Sequence, residues 1–197
     1  MILRALLQKS LLVLLLMPVL TQAADRVGDF SLLDQNGYFH QMSWYDNNQA
    51  IVLFVQATGD AAAQALLADF VSLRSSFETQ GIEFFMINPL GLKDRDAVKA
   101  EMEALNIDVP VLMDDARLIS EALEIDKIGE VLVYNPKSFT VDFRGPVGAA
   151  LTSALTDIVA GQDLQTTQVA SSGTPVSYPT KTAHQQQVPS YENPIQN

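Results

Sequence analysis

The sequence predicts an α/β fold: a mixed sheet flanked by helices, with a β-hairpin at its N-terminal end and an extended or disordered C-terminal tail. Three observations predict it. Apolar runs at residues 50–55 (AIVLFV) and 82–87 (IEFFMI) have the length and composition of buried strands. Stretches of helical period follow each of them, the clearest being Leu66, Phe70, Leu73 and Phe77. The order then closes on two short strand-like runs joined by Asn135-Pro136-Lys137-Ser138, which make an antiparallel pair.

Taken in order, residues 1–23 stand apart. Arg4 and Lys9 precede a short apolar run broken by Pro18, and Thr21-Gln22-Ala23 supplies small residues for cleavage, the pattern of a secretory signal peptide. The run falls short of the roughly 20 apolar residues a membrane span needs, and no cysteine follows as a lipid acceptor. The protein is therefore expected to be periplasmic or extracellular, and off the membrane once cleaved. Residues 27–33 alternate and end at Asp34-Gln35-Asn36-Gly37, whose Asn-Gly pair favours a tight hairpin turn into residues 38–42. The strand at 50–55 leads through Gln56-Ala57-Thr58-Gly59-Asp60 into a helix over 61–78, with Leu67 and Val71 widening its stripe. Thr58 or Asp60 can cap its start, and Gly81 follows its end.

After the second strand and Asn88-Pro89, Asp94 or Asp96 opens a helix through Leu105 with Val98, Met102 and Leu105 inward. Residues 109–113 are strand-like and 116–123 form a short helix. The hairpin pairs 131–134 with 139–143, and Gly145-Pro146 reads as a turn. Leu151, Leu155, Ile158 and Val159 mark a last helix stopped by Gly161. The order ββ-β-α-β-α-β-α-β-β-α is the thioredoxin-like arrangement with an added N-terminal hairpin. The domain is expected over 24–161. From Gln162 the apolar pattern fails and Gln, Thr, Ser and Pro dominate, so 162–197 reads as the tail.

All 23 acidic residues but only ten of the 12 basic ones follow residue 23, so the chain beyond it carries a formal charge of −13. That balance speaks against nucleic acid or an anionic lipid surface as partner. The absence of cysteine excludes, within this chain, a disulfide framework, thiol redox chemistry, a thiolate metal site and covalent c-type haem attachment.

F-S-L-L-D-Q-N-G at 30–37, I-V-L-F-V at 51–55, N-P-L-G at 88–91, V-P-V-L-M-D-D at 109–115 and V-Y-N-P-K-S-F-T-V-D-F-R-G-P-V at 133–147 carry a resemblance. Over roughly residues 27–161 the chain resembles the redoxin (peroxiredoxin/TlpA-like, AhpC/TSA) branch of the thioredoxin superfamily. It is similar to redoxin domains that precede c-type haem or copper-monooxygenase-like domains in secreted proteins. G-T-P-V-S-Y-P at 173–179 resembles a linker of those proteins that usually reads Gly-Cys, and P-S-Y-E-N-P-I at 189–195 resembles the lead-in to their haem domain.

The departures from that pattern bear on activity. Working members of the family place a cysteine at the turn into the first helix, often with a second three residues on. Here those places fall near Gly59 and Ala62. The thiol-peroxidase pattern Pro-x-x-x-Thr-x-x-Cys keeps its threonine at Thr58 but has Ala61 for its cysteine. The cis-proline that faces the cysteine is replaced by Gly129 in Ile128-Gly129-Glu130-Val131. The resemblance therefore implies an abandoned redox site at Thr58, Gly59, Ala62 and Gly129, with no catalytic residue and no cofactor.

Other chemistry is weighed on the residues themselves. His40-x-Met42 has a spacing that suits copper in an exported protein, although two ligands close no shell and Met42 reads equally as core. The other histidine, His184, lies in the tail. Asp114-Asp115, Glu121, Glu124 and Asp126 lack the spacing of a calcium loop and read as solvated helix ends. No Gly-x-Ser-x-Gly and no phosphate-binding glycine loop is present. Tyr38, Phe39, Trp44 and Tyr45 read as a hairpin packed on the core. The start of the 61–78 helix offers backbone donors for a partner's carboxylate or peptide edge, with Asp60 as a competing cap.

The expectation is thus an exported, redox-inactive thioredoxin-like domain acting as a binding or assembly module, an accessory subunit of a haem or copper oxidoreductase. The alternative is a copper-handling protein using His40 and Met42. A thiol-type oxidoreductase or peroxidase is a third reading, and it lacks a sulfur nucleophile.

Overall fold

Six consecutive residues, Ala50–Val55, are at most 1% exposed and form an interior strand of the sheet. A computed structural model describes residues 26–90 and 95–178. The expected signal peptide, Asp94, His184 and the 189–195 segment lie outside the described residues.

The elements are β1 (Ser31–Asp34), β2 (Phe39–Gln41), β3 (Ala50–Val55), α1 (Ala61–Phe77), β4 (Ile82–Asn88), α2 (Arg95–Ala104), β5 (Val111–Met113), α3 (Leu118–Ala122), β6 (Glu130–Asn135), β7 (Thr140–Pro146) and α4 (Ala149–Val159). They build one seven-stranded sheet in the order β2-β1-β5-β4-β3-β6-β7. The β3–β4 and β4–β5 pairs are parallel, and β1–β2, β1–β5, β3–β6 and β6–β7 are antiparallel. This is the predicted mixed sheet flanked by helices, a thioredoxin-like fold.

Adjacent residues of β4 show how the two faces are filled. Phe84 packs toward α1, where Phe70 stands 5.8 Å from it and 5.0 Å from Phe54. Phe85, pointing the other way, meets His40 and Tyr45 at 5.0 and 5.2 Å. Each fully buried large side chain of β3 and β4 contributes about 1.5–3 kcal/mol of transfer free energy, so this double-sided strand pair anchors the fold. In α1 the buried positions are Ala63, Leu67, Phe70 and Phe77, with Leu66 and Leu73 half-buried beside them.

Several sequence expectations shift. The second hairpin strand ends at Gln41, and Met42 enters a 3-10 turn (Met42–Tyr45), sealed in the core. Tyr38, Phe39 and Trp44 are exposed, so only Tyr45 of that aromatic set packs on the core. Gly145-Pro146 is no turn but the end of β7, paired with Val131 and Glu130. A proline is accepted there because β7 is an edge strand. A Cβ on Gly145 would stand 2.8 Å from the Phe143 ring. Asp114 is not solvated: it is 2% exposed, and its Oδ2 accepts from Ser120 N and Oγ at 2.6 and 2.7 Å.

The largest difference lies past Gly161. Residues 162–178 are extended but do not leave the domain. Val169 N donates to Arg144 O and Arg144 N to Thr167 O on the outer edge of β7, and residues 173–178 pair with the loop before β6. Backbone pairing of this kind needs no apolar periodicity, which is why hydropathy did not reveal it.

Candidate functional site at the start of helix α1

The carboxyl end of β3 runs into a polar turn before α1. Gln56 extends the ladder by donating its N–H to Ile87 O, and Asp60 N closes a turn onto Ala57 O at 3.1 Å. Gly59 is the third residue of that turn, with φ +76°, a conformation a glycine adopts without strain. Of the two predicted caps, Asp60 does the work: its Oδ1 accepts from Ala63 N at 2.9 Å. Thr58 Oγ1 is enclosed with no hydrogen-bond partner among the described residues.

A second acid arrives from α2. Glu101 Oε1 accepts from Gly59 N at 2.8 Å and from Gln64 Nε2 at 2.7 Å, and its Oε2 accepts from Gln56 Nε2 at 3.1 Å. Gln56 itself is buried and takes a bond from Asn88 Nδ2. Two of the backbone donors that could stabilise an anion at this helix start, Gly59 N and Ala63 N, are therefore held by the chain's own carboxylates. Sequence reasoning foresaw Asp60 as competitor but not Glu101, because no local spacing joins residues 42 apart.

Gly129 is brought against this junction. Its N–H donates to Val55 O at 2.8 Å, and a Cβ built on it would touch Leu66 Cδ1 of α1 at 3.4 Å. Its φ is +89°, whereas a proline ring holds φ near about −65°. The backbone at this place cannot take a proline. Ala62, in the first turn of α1, is exposed. Thr58 and Gly59 thus lie in the turn after β3 and Ala62 in the first turn of α1, while Gly129 lies beside Val55 and Leu66.

A third component closes the site. Ile128 N donates to Thr174 O, Val176 N donates to Asp126 O, both at 2.8 Å, and the Thr174 hydroxyl donates to Asp60 Oδ2 at 2.7 Å. Arg117, in the left-handed region at φ +60°, reaches Leu90 O and Ser177 O. The Tyr178 hydroxyl donates to Ile125 O at 2.9 Å. The bond from Ala63, then the one from Thr174, hold the Asp60 carboxyl below its ordinary pKa. Burial first, then Asp114 and Glu121, push the Tyr178 phenol up to about 12. The one sequence signal for this arm is Gly173-Thr174, where the resembled linker carries Gly-Cys.

His40 and Met42 do not converge. Met42 is fully buried, while His40 Nδ1 lies 2.7 Å from the Tyr45 hydroxyl and Nε2 lies 3.2 Å from Asp34 Oδ2. Burial, with Glu83 and Asp34 nearby, pushes the Tyr45 phenol up. In the tautomer with its proton on Nε2, His40 accepts from Tyr45 and donates to Asp34. Among the described residues, no three His, Cys, Asp or Glu side chains are grouped to hold a metal ion.

Comparison with known proteins places the chain. Residues 23–150 match the AhpC/TSA family, while no curated protein matches. A solved structure of a hypothetical protein from Sinorhizobium meliloti 1021 is 20% identical, covers 78% of this chain and 92% of its own, and has a TM-score of 0.67. An uncharacterized conserved protein from Geobacillus kaustophilus is 15% identical over 79% of this chain and 91% of its own, at 0.70. A thiol:disulfide interchange protein of the thioredoxin family from Chlorobium tepidum TLS is 20% identical over 71% and 97%, at 0.55. At such identities the likeness shows the fold alone, and the match over 23–150 shows the family: the chain belongs to the AhpC/TSA family, as a cysteine-free member with a thioredoxin-like fold.

Proposed function

We propose that this protein is an exported, redox-inactive binding module, an accessory subunit of a haem or copper oxidoreductase. The observation that carries the reading is the occupation of the α1 start. Glu101 holds Gly59 N and Asp60 holds Ala63 N. A chain without cysteine has no thiolate to put there. Structures of the same fold, such as the Chlorobium interchange protein, are named for thiol chemistry; this chain keeps the scaffold and commits N–H groups at the α1 start to its own acids.

Export rests on the basic, apolar and small-residue pattern of residues 1–23, and the oxidoreductase partner on the resemblance to domains that precede haem and copper domains. What the scaffold offers such a partner is shape and backbone edges. Purification of the native protein from its source tests this: it should come out in a complex with an exported oxidoreductase, and recovery as a lone monomer overturns the reading. Turnover of peroxide or disulfide substrates by the purified chain would overturn its redox-inactive part.

A further inference from the structure

The loop before β6 is a strand edge built without a strand beside it in the sheet. Glu130, 1% exposed, accepts from Asp126 N and Lys127 N with Oε1, and its Oε2 pairs with Arg144 at 3.3 Å. Arg144 in turn donates to Leu123 O and Glu124 O. Ile125 N is held by Ser120 O and Gly129 N by Val55 O. These bonds brace the loop and leave Ile125 O, Asp126 O and Ile128 N for partners outside it. All three are satisfied by residues 174–178 and by nothing else described.

The occupying segment fits that edge residue by residue. A Cβ on Gly173 would lie 2.0 Å from Ile128 O, so only glycine passes there. Thr174 gives its carbonyl to Ile128 and its hydroxyl to Asp60. Pro175, opposite Lys127, sits between the two cross-strand bonds, where no N–H is needed. Val176 gives its N–H to Asp126 O and packs against the core cluster. Tyr178 reaches Ile125 O. Yet Thr174, Pro175 and Ser177 are exposed. The segment lies on the surface, and a separate anchor at 167–169 holds it to β7.

We propose that residues 173–178 are a ligand bound in cis, a strap over a preformed peptide-receiving edge at 125–128. When the strap lifts, that edge takes an extended segment of a partner protein with the same pattern: glycine, Ser or Thr, proline, an aliphatic residue, any residue, tyrosine. Strand addition of this kind draws affinity from backbone bonds and selectivity from the flanking side chains. This deepens the binding-module reading and rests on it, since it says which surface of the module meets the partner.

The experiment uses the full chain and its Gly173→Val variant, with a fluorescent peptide spanning residues 171–179 as probe. In the wild type, the Ile128 and Val176 amides should exchange with deuterium at least about tenfold faster than the β3 and β6 amides, because the strap opens without global unfolding. In Gly173→Val their protection should be lost while β3 and β6 stay protected. The peptide should bind that variant at least about tenfold tighter than the wild type, whose own strap competes. A peptide carrying the same Gly173→Val change should not bind.

If Gly173→Val does not fold, Thr174→Ala with Tyr178→Phe loosens the strap more gently, and the same peptide ranking is expected. Exchange of Ile128 and Val176 only at the rate of the core, or equal peptide binding to strapped and released chains, overturns the proposal. No oxidoreductase enters the assay, so its failure leaves the accessory role standing. A native purification without a partner enzyme would likewise leave the strap standing.

Discussion

The Thr174 hydroxyl donates to the Asp60 carboxylate at 2.7 Å, joining residues 114 apart in sequence. One side chain thereby ties the arm beyond α4 to the cap of α1. The bond makes the cap and the strap parts of one arrangement, and their stabilities are coupled.

Asp60→Ala should cost about 1 kcal/mol, the usual worth of an N-cap, and should also weaken the strap. The folded-state pKa of Asp60 is depressed. Its stabilisation is therefore fully present above the unfolded value of about 3.9 and fades as pH falls through the lower folded value. Urea titrations at neutral and strongly acidic pH check this: the gap between wild type and variant should close in acid.

Tyr178 gives the opposite sign. Its phenol is raised to about 12, so the contribution of its bond to Ile125 O is whole below the unfolded value of about 10. It disappears as pH rises through the folded value. Alkaline titration should expose the Ile128 amide to exchange in the wild type. Tyr178→Phe should start from lower protection and show no such step.

Glu101→Ala should destabilise by about 1–3 kcal/mol, chiefly by stranding the buried Gln56 amide, since Gly59 and Gln64 are exposed and can turn to water. Glu101→Gln should rescue only part of it: its amide oxygen can keep the Gly59 and Gln64 bonds, but its amide nitrogen would then face the Gln56 Nε2 donor. Thermal unfolding of both variants decides this.

Gly129→Pro should not be accommodated. It removes the N–H given to Val55 O and demands a φ the loop does not have. A loss of about 3 kcal/mol or more is expected, against about 1–2 kcal/mol for Gly129→Ala, whose cost is the positive φ alone. Denaturant midpoints of the two variants measure the difference.

His40→Ala should leave copper binding unchanged in titrations against the wild type, because Met42 is sealed away and both His40 ring nitrogens are engaged. Met42→Ala should cost about 2–5 kcal/mol as a core cavity, with no effect on copper. A copper affinity that falls with either variant would reinstate the metal reading.

What the residues determined alone was whatever depends on local pattern. Strand and helix order followed from periods of 2 and 3.6 and from Asn36-Gly37, Gly81 and Gly161 as punctuation. The thiol exclusion followed from composition. Asp60 was legible as a cap because a capping residue acts within its own turn. Only the tertiary structure decided which groups meet across the chain: Glu101 on Gly59, Gly129 on Val55, and Thr174 on both Ile128 and Asp60. Those contacts are hydrogen bonds between polar groups distant in sequence, and they leave no trace in hydropathy. The same physics hid the strap, since backbone groups are common to every residue and a Ser-, Thr- and Pro-rich arm looks solvated until an unpaired edge is placed beside it.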